Sequence, residues 1–343
     1  YFTFRVNDDG KTVTLTDYDS SLSDNTDIVI PATVSQNSSE EWIEGNTYTV
    51  TAITDGSVNS GVFYDSGITS VTFPSSLTSI GDYAFRNCSG LTGELNLGGC
   101  TSLTSIGSNA FYGCSELTGE LNLGGCTSLT SIGELAFTEC SGLTIISLPS
   151  SLTSIGDSAF HYCSGLIGTV TIPASVTEIG VNPFAICSKL EGIVVEEGNS
   201  EYYVEGNCLI ENSTKTLITG FNNSTIPSDI KVIGDRAFGY CNGLTSISLP
   251  SSLTSIGDSA FRYCTGLTSV DLSGCTNLTS IERYAFFDCN ALESVVFPEG
   301  STGWYVAISS SATSGTNVSV TNANTNASNL TRTYVSRYWK RNV

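Results

Sequence analysis

Large apolar side chains recur along this chain in one repeated phrase. It is clearest in Leu253–Leu272, LTSIGDSAFRYCTGLTSVDL, where Leu, Ile, Phe and Val are separated by Ser, Thr, Asp and Gly. Aligned on the Ile of S-I-G, one column reads Ile80, Ile106, Ile132, Ile155, Ile179, Ile233, Ile256 and Ile281. The Cys that follows gives Cys88, Cys114, Cys140, Cys163, Cys187, Cys241, Cys264 and Cys289. Both columns advance by 26, 26, 23, 24, 54, 23 and 25 residues. A unit this short cannot bury a core alone, so the units must stack into a solenoid and share one. Each coil predicts a short strand at L-T-S-I-G, a turn or single helical turn at D-x-A-F-x-x-C, and a second strand at L-T-S-V-x-L-P. The Leu, Ile and Phe columns point inward, and Phe85, Phe111, Phe137, Phe160, Phe184, Phe238, Phe261 and Phe286 make an interior spine.

The flanks depart from the phrase. Residues 1–52 predict an N-terminal β cap. Thr12–Thr16 alternates after the turn Asn7–Gly10, and Asp27–Pro31 and Tyr48–Ile53 read as further strands, with a polar loop holding Trp42 between them. The repeats occupy residues 53–298. Their first coil is degenerate, with Ile53, Phe63 and Ile68–Pro74 but no column Cys, as suits a terminal repeat. The step of 54 residues is one coil plus an insertion at about 196–230. There Tyr202–Val204, Cys208–Ile210 and Thr216–Thr219 predict a β-hairpin that projects from, or thickens, one edge. Residues 299–343 form a Ser/Thr/Asn-rich segment, expected as an exposed loop or stalk, and a basic, aromatic C-terminal cap with Tyr334, Arg337, Tyr338, Trp339, Lys340 and Arg341.

The pattern L-T-S-I-G-x-x-A-F-x-x-C-x-x-L-T-S-[VI]-x-[LF]-P resembles the BspA-like (Treponema-type) leucine-rich repeats of bacterial and some protozoan surface proteins. The resemblance covers roughly Ile53 to Pro298. It implies a leucine-rich-repeat solenoid, an α/β-type repeat that is mostly β, with short parallel strands, helical turns and capped ends. Right-handed winding follows the usual preference of crossovers. The resemblance also implies a secreted or cell-surface bacterial location, and adhesion to proteins of the host extracellular matrix or of other cell surfaces. With Tyr1 first, no Met and no signal peptide, the chain is expected to be a mature or trimmed product.

Composition narrows the chemistry. Thirteen Lys+Arg against 33 Asp+Glu give a net charge of −20, which disfavours nucleic acid and anionic membranes as partners. No apolar run is long enough to span a bilayer. The twelve cysteines read as free, buried thiols, since eight share one repeat position and Cys100, Cys126 and Cys275 share another. No C-x-x-C spacing suggests a metal. Asp82, Asp157, Asp235 and Asp258 are expected to cap their own coil's helical turn. A calcium ladder is the sharper alternative, but Ser108, Glu134, Val181 and Arg283 interrupt the column. The single His161 occupies a variable, surface-facing (convex) position, so no Ser/His/Asp set or zinc site can be built on it. No cofactor is expected, and no carboxylate pair stands out for glycoside hydrolysis.

What remains is surface. Along the second strand, Thr72, Asn96, Asn122, Ser147, Thr171, Ser248 and Asp271 form one outward row. Ser70, Glu94, Glu120, Thr169, Ser246, Ser269 and Ser294 form another. Tyr162, Tyr240 and Tyr263 share an exposed column, and Tyr202 and Tyr203 lie in the hairpin. These are the candidate binding residues of a non-enzymatic protein-binding scaffold, an adhesin. The alternative is a structural or assembly module of the bacterial envelope with no host ligand, favoured by the basic aromatic C-terminus. A solenoid carbohydrate hydrolase would need a cleft with paired carboxylates.

Overall fold

The computed structural model describes residues 2–22, 26–35 and 46–342, so the expected loop around Trp42 lies outside the described residues. The chain divides into two compact units: Tyr1–Leu190 with Glu196–Asn199, and Glu191–Val195 with Ser200–Val343.

The first unit is a stack of coils along a nine-stranded sheet. Strand Phe2–Val6 runs antiparallel to Thr12–Tyr18, which lies parallel to Thr47–Ile53. Thr33–Ser35 pairs antiparallel with Thr47–Ile53. The two-residue strands Ser79–Ile80, Ser105–Ile106, Ser131–Ile132, Ser154–Ile155 and Glu178–Ile179 follow in parallel, each Ile opposite the Ile of the coil before. On a second side of the coils Asp27–Val29 pairs with Ser70–Thr72, and Gly119–Asn122 with Leu143–Ser147, all parallel. The Phe spine is present: successive centroids from Phe63 through Phe85, Phe111, Phe137 and Phe160 to Phe184 lie 4.6, 5.0, 5.3, 5.5 and 5.4 Å apart. The rings are within 8° of parallel, so the spine keeps pace with the strand-to-strand spacing of ~4.8 Å.

The D-x-A-F-x-x-C segments are turns, where a helical turn is predicted. Each carries two residues of left-handed φ, such as Tyr83 (59°) and Asn87 (60°), or Ser158 (53°) and Tyr162 (61°). Only alternate amides bond back along the segment, as Arg86 does to Tyr83 and Cys88 to Phe85, three residues back and not four as an α-helix requires. Tyr83, Phe85 and Asn87 donate instead to the carbonyls of Ser108, Ala110 and Tyr112 in the next coil, at 2.9, 2.7 and 2.7 Å. Every second N–H of the segment is aimed along the stack, so hydrogen bonds between coils displace the helix. The Asp column follows suit. Asp82 Oδ1 accepts from the Ser108 amide at 2.6 Å, and Asp157 Oδ1 from Val181 at 2.8 Å. These carboxylates clamp the following coil rather than cap their own.

Close approach also accounts for the glycine after column Ile residues. A Cβ on Gly81 would lie 2.4 Å from the Thr54 carbonyl carbon, one on Gly107 2.5 Å from the Asp82 amide, and one on Gly156 2.5 Å from the Glu134 amide. None of these three has a positive φ. They are there for space, where the sequence suggests turns.

The column cysteines are free thiols, all buried except half-buried Cys241. They are more than small apolar fillers. Except for Cys241, which donates to the Gly220 carbonyl, each S–H donates to the carbonyl of the Phe one coil back, as in Cys114 to Phe85, Cys140 to Phe111, Cys163 to Phe137 and Cys187 to Phe160, all at 3.2 Å. Each of these carbonyls also accepts the amide of its own coil's Cys, so the thiol uses the second lone pair.

The second unit repeats this scheme. Tyr202–Glu205, Cys208–Glu211 and Thr216–Thr219 form an antiparallel hairpin sheet, and Val232–Ile233, Ser255–Ile256 and Ser280–Ile281 continue it in parallel. The hairpin therefore joins the sheet and does not stand off it. Tyr338–Arg341 runs antiparallel between Ser280–Ile281 and Trp304–Ala307, with Trp339 only 1% exposed. Beside this sheet Ser246–Ser248, Ser269–Asp271 and Ser294–Val296 pair in parallel. Phe238, Phe261 and Phe286 stack at 5.2 Å, and Cys264 and Cys289 donate to the Phe238 and Phe261 carbonyls. The Ser/Thr/Asn-rich segment is no stalk in its second half. Helix Ala323–Ser328, capped by Asn322 on the Thr325 amide, buries Asn326, whose Nδ2 donates to the Val295 and Val320 carbonyls. Among the described residues no helix is long and apolar enough to cross a membrane.

Phe160→Ala should lower unfolding stability by about 3–5 kcal/mol in a urea titration. Gly156→Ala should cost about 1–3 kcal/mol through overpacking, whereas Gly99→Ala, whose Cβ would meet open space, should stay within about 0.5 kcal/mol of the parent. Burial pushes the thiols of Cys100, Cys126, Cys208 and Cys275 from 9.0 up to about 11, and those of Cys187 and Cys241 to about 12. Above pH 9 the unfolded chain therefore sheds thiol protons before the native one. The stabilisation is complete below that pH and is lost as pH climbs toward 11–12. The urea midpoint should fall from pH 7.5 to pH 10, and a thiol reagent at neutral pH should label the unfolded chain far faster than the native one.

Candidate binding surface

The strand rows lie where period-two geometry puts them. Thr72, Asn96, Asn122, Thr171, Ser248 and Asp271 are exposed, and Ser147 is half-buried. Register aligns Asn122 with Ser147 in the first unit, and Ser248 with Asp271 and Val296 in the second. Much of their hydrogen-bonding capacity is turned inward. Ser147 donates to Glu120 at 2.5 Å, Asn122 Oδ1 accepts from the Gly124 amide at 3.0 Å, and Asp271 Oδ1 from the Ser273 amide at 2.8 Å. Bonds from the Ser273 hydroxyl and amide hold the Asp271 carboxyl below the usual range. The rows are flat and small-sided, with few anchors for a partner. The apolar members Val29 (64% exposed) and Val296 (41%) extend them, and sequence reading passed over both.

The hairpin is a different matter. Tyr202 is buried at 5% exposure, so it belongs to the core and not to a recognition surface. Tyr203 is half-buried and engaged: Lys215 Nζ lies 4.8 Å from its ring centroid, donates to its hydroxyl at 3.2 Å, and pairs with Asp229 at 3.3 Å. Burial in Cys208–Ile210 and alternation in Thr216–Thr219 place this hairpin's apolar face inward.

The Tyr column carries the largest exposed rings. In the first unit Tyr162 is 46% exposed and 6.2 Å from the half-buried His161 ring. In the second unit Tyr240, 37% exposed, stacks on Tyr263 at 4.5 Å. Tyr263 meets Phe287 edge-on at 5.7 Å, and Phe287 meets Tyr284 at 5.8 Å. Burial pushes the Tyr240 hydroxyl pKa up, against the pull of Arg262. Phe287, Tyr284 and Arg262 were not among the sequence candidates. Their repeat positions looked merely variable, and only the stack brings them beside the tyrosines. Every residue of this column is left-handed, including Tyr162, Tyr240 and Tyr263 at φ 61, 64 and 60°. Gly113 and Asn87 occupy the same place at less cost.

Coils of this length, with an Ile ladder, a Phe spine and parallel strands, define a leucine-rich-repeat β-solenoid. The family model described as BspA type leucine rich repeat region matches six copies over residues 56–191, 104–219 and 209–335. The chain belongs to that family. Among solved structures it is similar to a leucine-rich cell surface protein from Faecalibacterium prausnitzii, with 29% identity, 88% of each chain covered and a TM-score of 0.58. It is also similar in fold to the pneumococcal vaccine antigen PcpA, with 20% identity, 87% of this chain and 79% of that one covered, and a TM-score of 0.62. Curated proteins give no match.

Tyr240→Asn and Tyr263→Asn relieve a left-handed tyrosine but lose a ring contact, effects of about 1 kcal/mol each with opposite sign. Their melting midpoints should stay close to the parent's. A loss of several kcal/mol would show that the column serves the fold rather than the surface.

Proposed function

We propose that the protein is a non-enzymatic scaffold, secreted or held at a bacterial cell surface, that acts as an adhesin by binding proteins of a host or of other cells. The observation that carries this reading is its likeness, along 88% of both chains, to a bacterial leucine-rich cell surface protein. Two features support it. The inward columns serve the stack, which leaves side-chain variation to the surface. The largest rings on that surface occupy backbone positions that suit them poorly. The envelope-module alternative leaned on a free basic, aromatic tail, yet Tyr338–Arg341 is a strand of the second unit's sheet with Trp339 buried.

The test is binding of the purified chain to immobilised extracellular-matrix and plasma proteins at low and physiological salt. Saturable binding that persists at physiological salt is expected. Binding to none of them, or binding that vanishes with salt as charge alone would dictate, moves the assignment to the envelope module.

A further inference from the structure

Three arginines lie on aromatic rings, and they differ in what else holds them. Arg86, like Arg262, contacts two rings, with Cζ 5.6 Å from the Tyr83 centroid and 5.0 Å from that of Tyr112, and its Nη1 donates to the Val58 carbonyl. Arg283 Cζ is 5.0 Å from the Tyr338 centroid, and the guanidinium pairs with Asp258 at 3.5 Å. Arg262 contacts two rings, with Cζ 5.0 Å from the Tyr263 centroid and 5.2 Å from that of Phe287. Among the described residues its side chain makes no hydrogen bond and no ion pair, while a buried Nε without a partner is common to all three arginines.

In a chain with 33 carboxylates and 13 Lys+Arg, a guanidinium without a carboxylate is not explained by a shortage of acids. Asp288 is near enough to act on the Tyr240 hydroxyl, yet it forms no ion pair with Arg262. The two rings limit the guanidinium's freedom before anything binds, so its fork of donors is preset for a planar anion. The exposed Tyr240 ring adjoins it through Tyr263. Tyr and Arg in a partly dry cluster are the residue types that carry most interface energy.

We infer that this Arg262 cluster, with Tyr240, Tyr263 and Phe287, is the docking site for a protein segment that places one carboxylate among aromatic or apolar side chains. The inference rests on the protein-binding reading above and names the chemistry of its partner. A polyanion such as a sulfated polysaccharide is the poorer fit, because the net charge of −20 repels it as a whole. A single carboxylate feels mainly the nearby guanidinium, in surroundings drier than water.

The test uses the full chain on an array of immobilised octapeptides, each with two aromatic residues flanking a central Glu, Gln or Lys. The parent protein should retain Glu-centred peptides about tenfold better than Gln-centred ones, the scale of one charge-assisted hydrogen bond. Arg262→Gln should bring that ratio to about one at an unchanged melting midpoint. Arg262→Lys, which keeps charge but loses the planar fork, should fall between. Tyr240→Asn, which spares the guanidinium, should weaken all aromatic peptides while keeping the Glu preference. No carboxylate preference in the parent, an equal preference in Arg262→Gln, or Arg262-dependent binding of heparin in place of the peptides overturns the inference. Matrix-protein binding that Arg262→Gln leaves intact overturns it too, while the adhesin reading stands.

Discussion

The distance between successive coils governs this molecule. Parallel backbones that exchange hydrogen bonds sit ~4.8 Å apart, and the stacked Phe rings follow at 4.6–5.5 Å. At that spacing a Cβ at Gly81, Gly107 or Gly156, each following a column Ile, would collide with the backbone of the preceding coil. The same spacing lets the turn amides and the Asp82 and Asp157 carboxylates reach the next coil. It also brings column thiols such as Cys140 and Cys163 within hydrogen-bonding range of the preceding Phe carbonyl. Backbone pairing, ring stacking, thiol donors and missing Cβ atoms are four consequences of one constraint.

That constraint divides the residues of each coil by task. Ile, Leu, Phe, Cys and Gly columns are committed to the stack, and so is the Asp column. Left for recognition are the outward strand rows and the outer positions of the left-handed turns. The rows spend many of their polar groups on one another, as Ser147 does with Glu120. The turns of the second unit gather Tyr240, Tyr263, Phe287 and Arg262, where two tyrosines accept an unfavourable φ and, among the described residues, the guanidinium has no carboxylate partner.

Much of this was legible from residue order alone. The Ile and Cys columns are direct records of which side chains become neighbours, because a stack places like positions over like. Alternation predicted a strand at Thr12–Thr16, observed over Thr12–Tyr18, and the hairpin strands with little error. The misreadings share one cause. The helical turn, the Asp caps and the turn glycines were judged from near neighbours in sequence, whereas their partners lie about one coil away. Tyr202 and Tyr203 looked equivalent, but one entered the core and the other met Lys215.

By itself, the sequence determined the repeat length, the inward columns, the free thiols and the mostly-β solenoid, because periodicity is a local property that survives translation along the stack. Only the tertiary structure decided what each polar or aromatic group does. It turned the Asp side chains onto the next coil and the C-terminal Trp339 into the second unit's core, and it left Arg262 between two rings without a carboxylate. Those outcomes depend on distances between atoms in different coils, and no residue's sequence neighbours encode such distances.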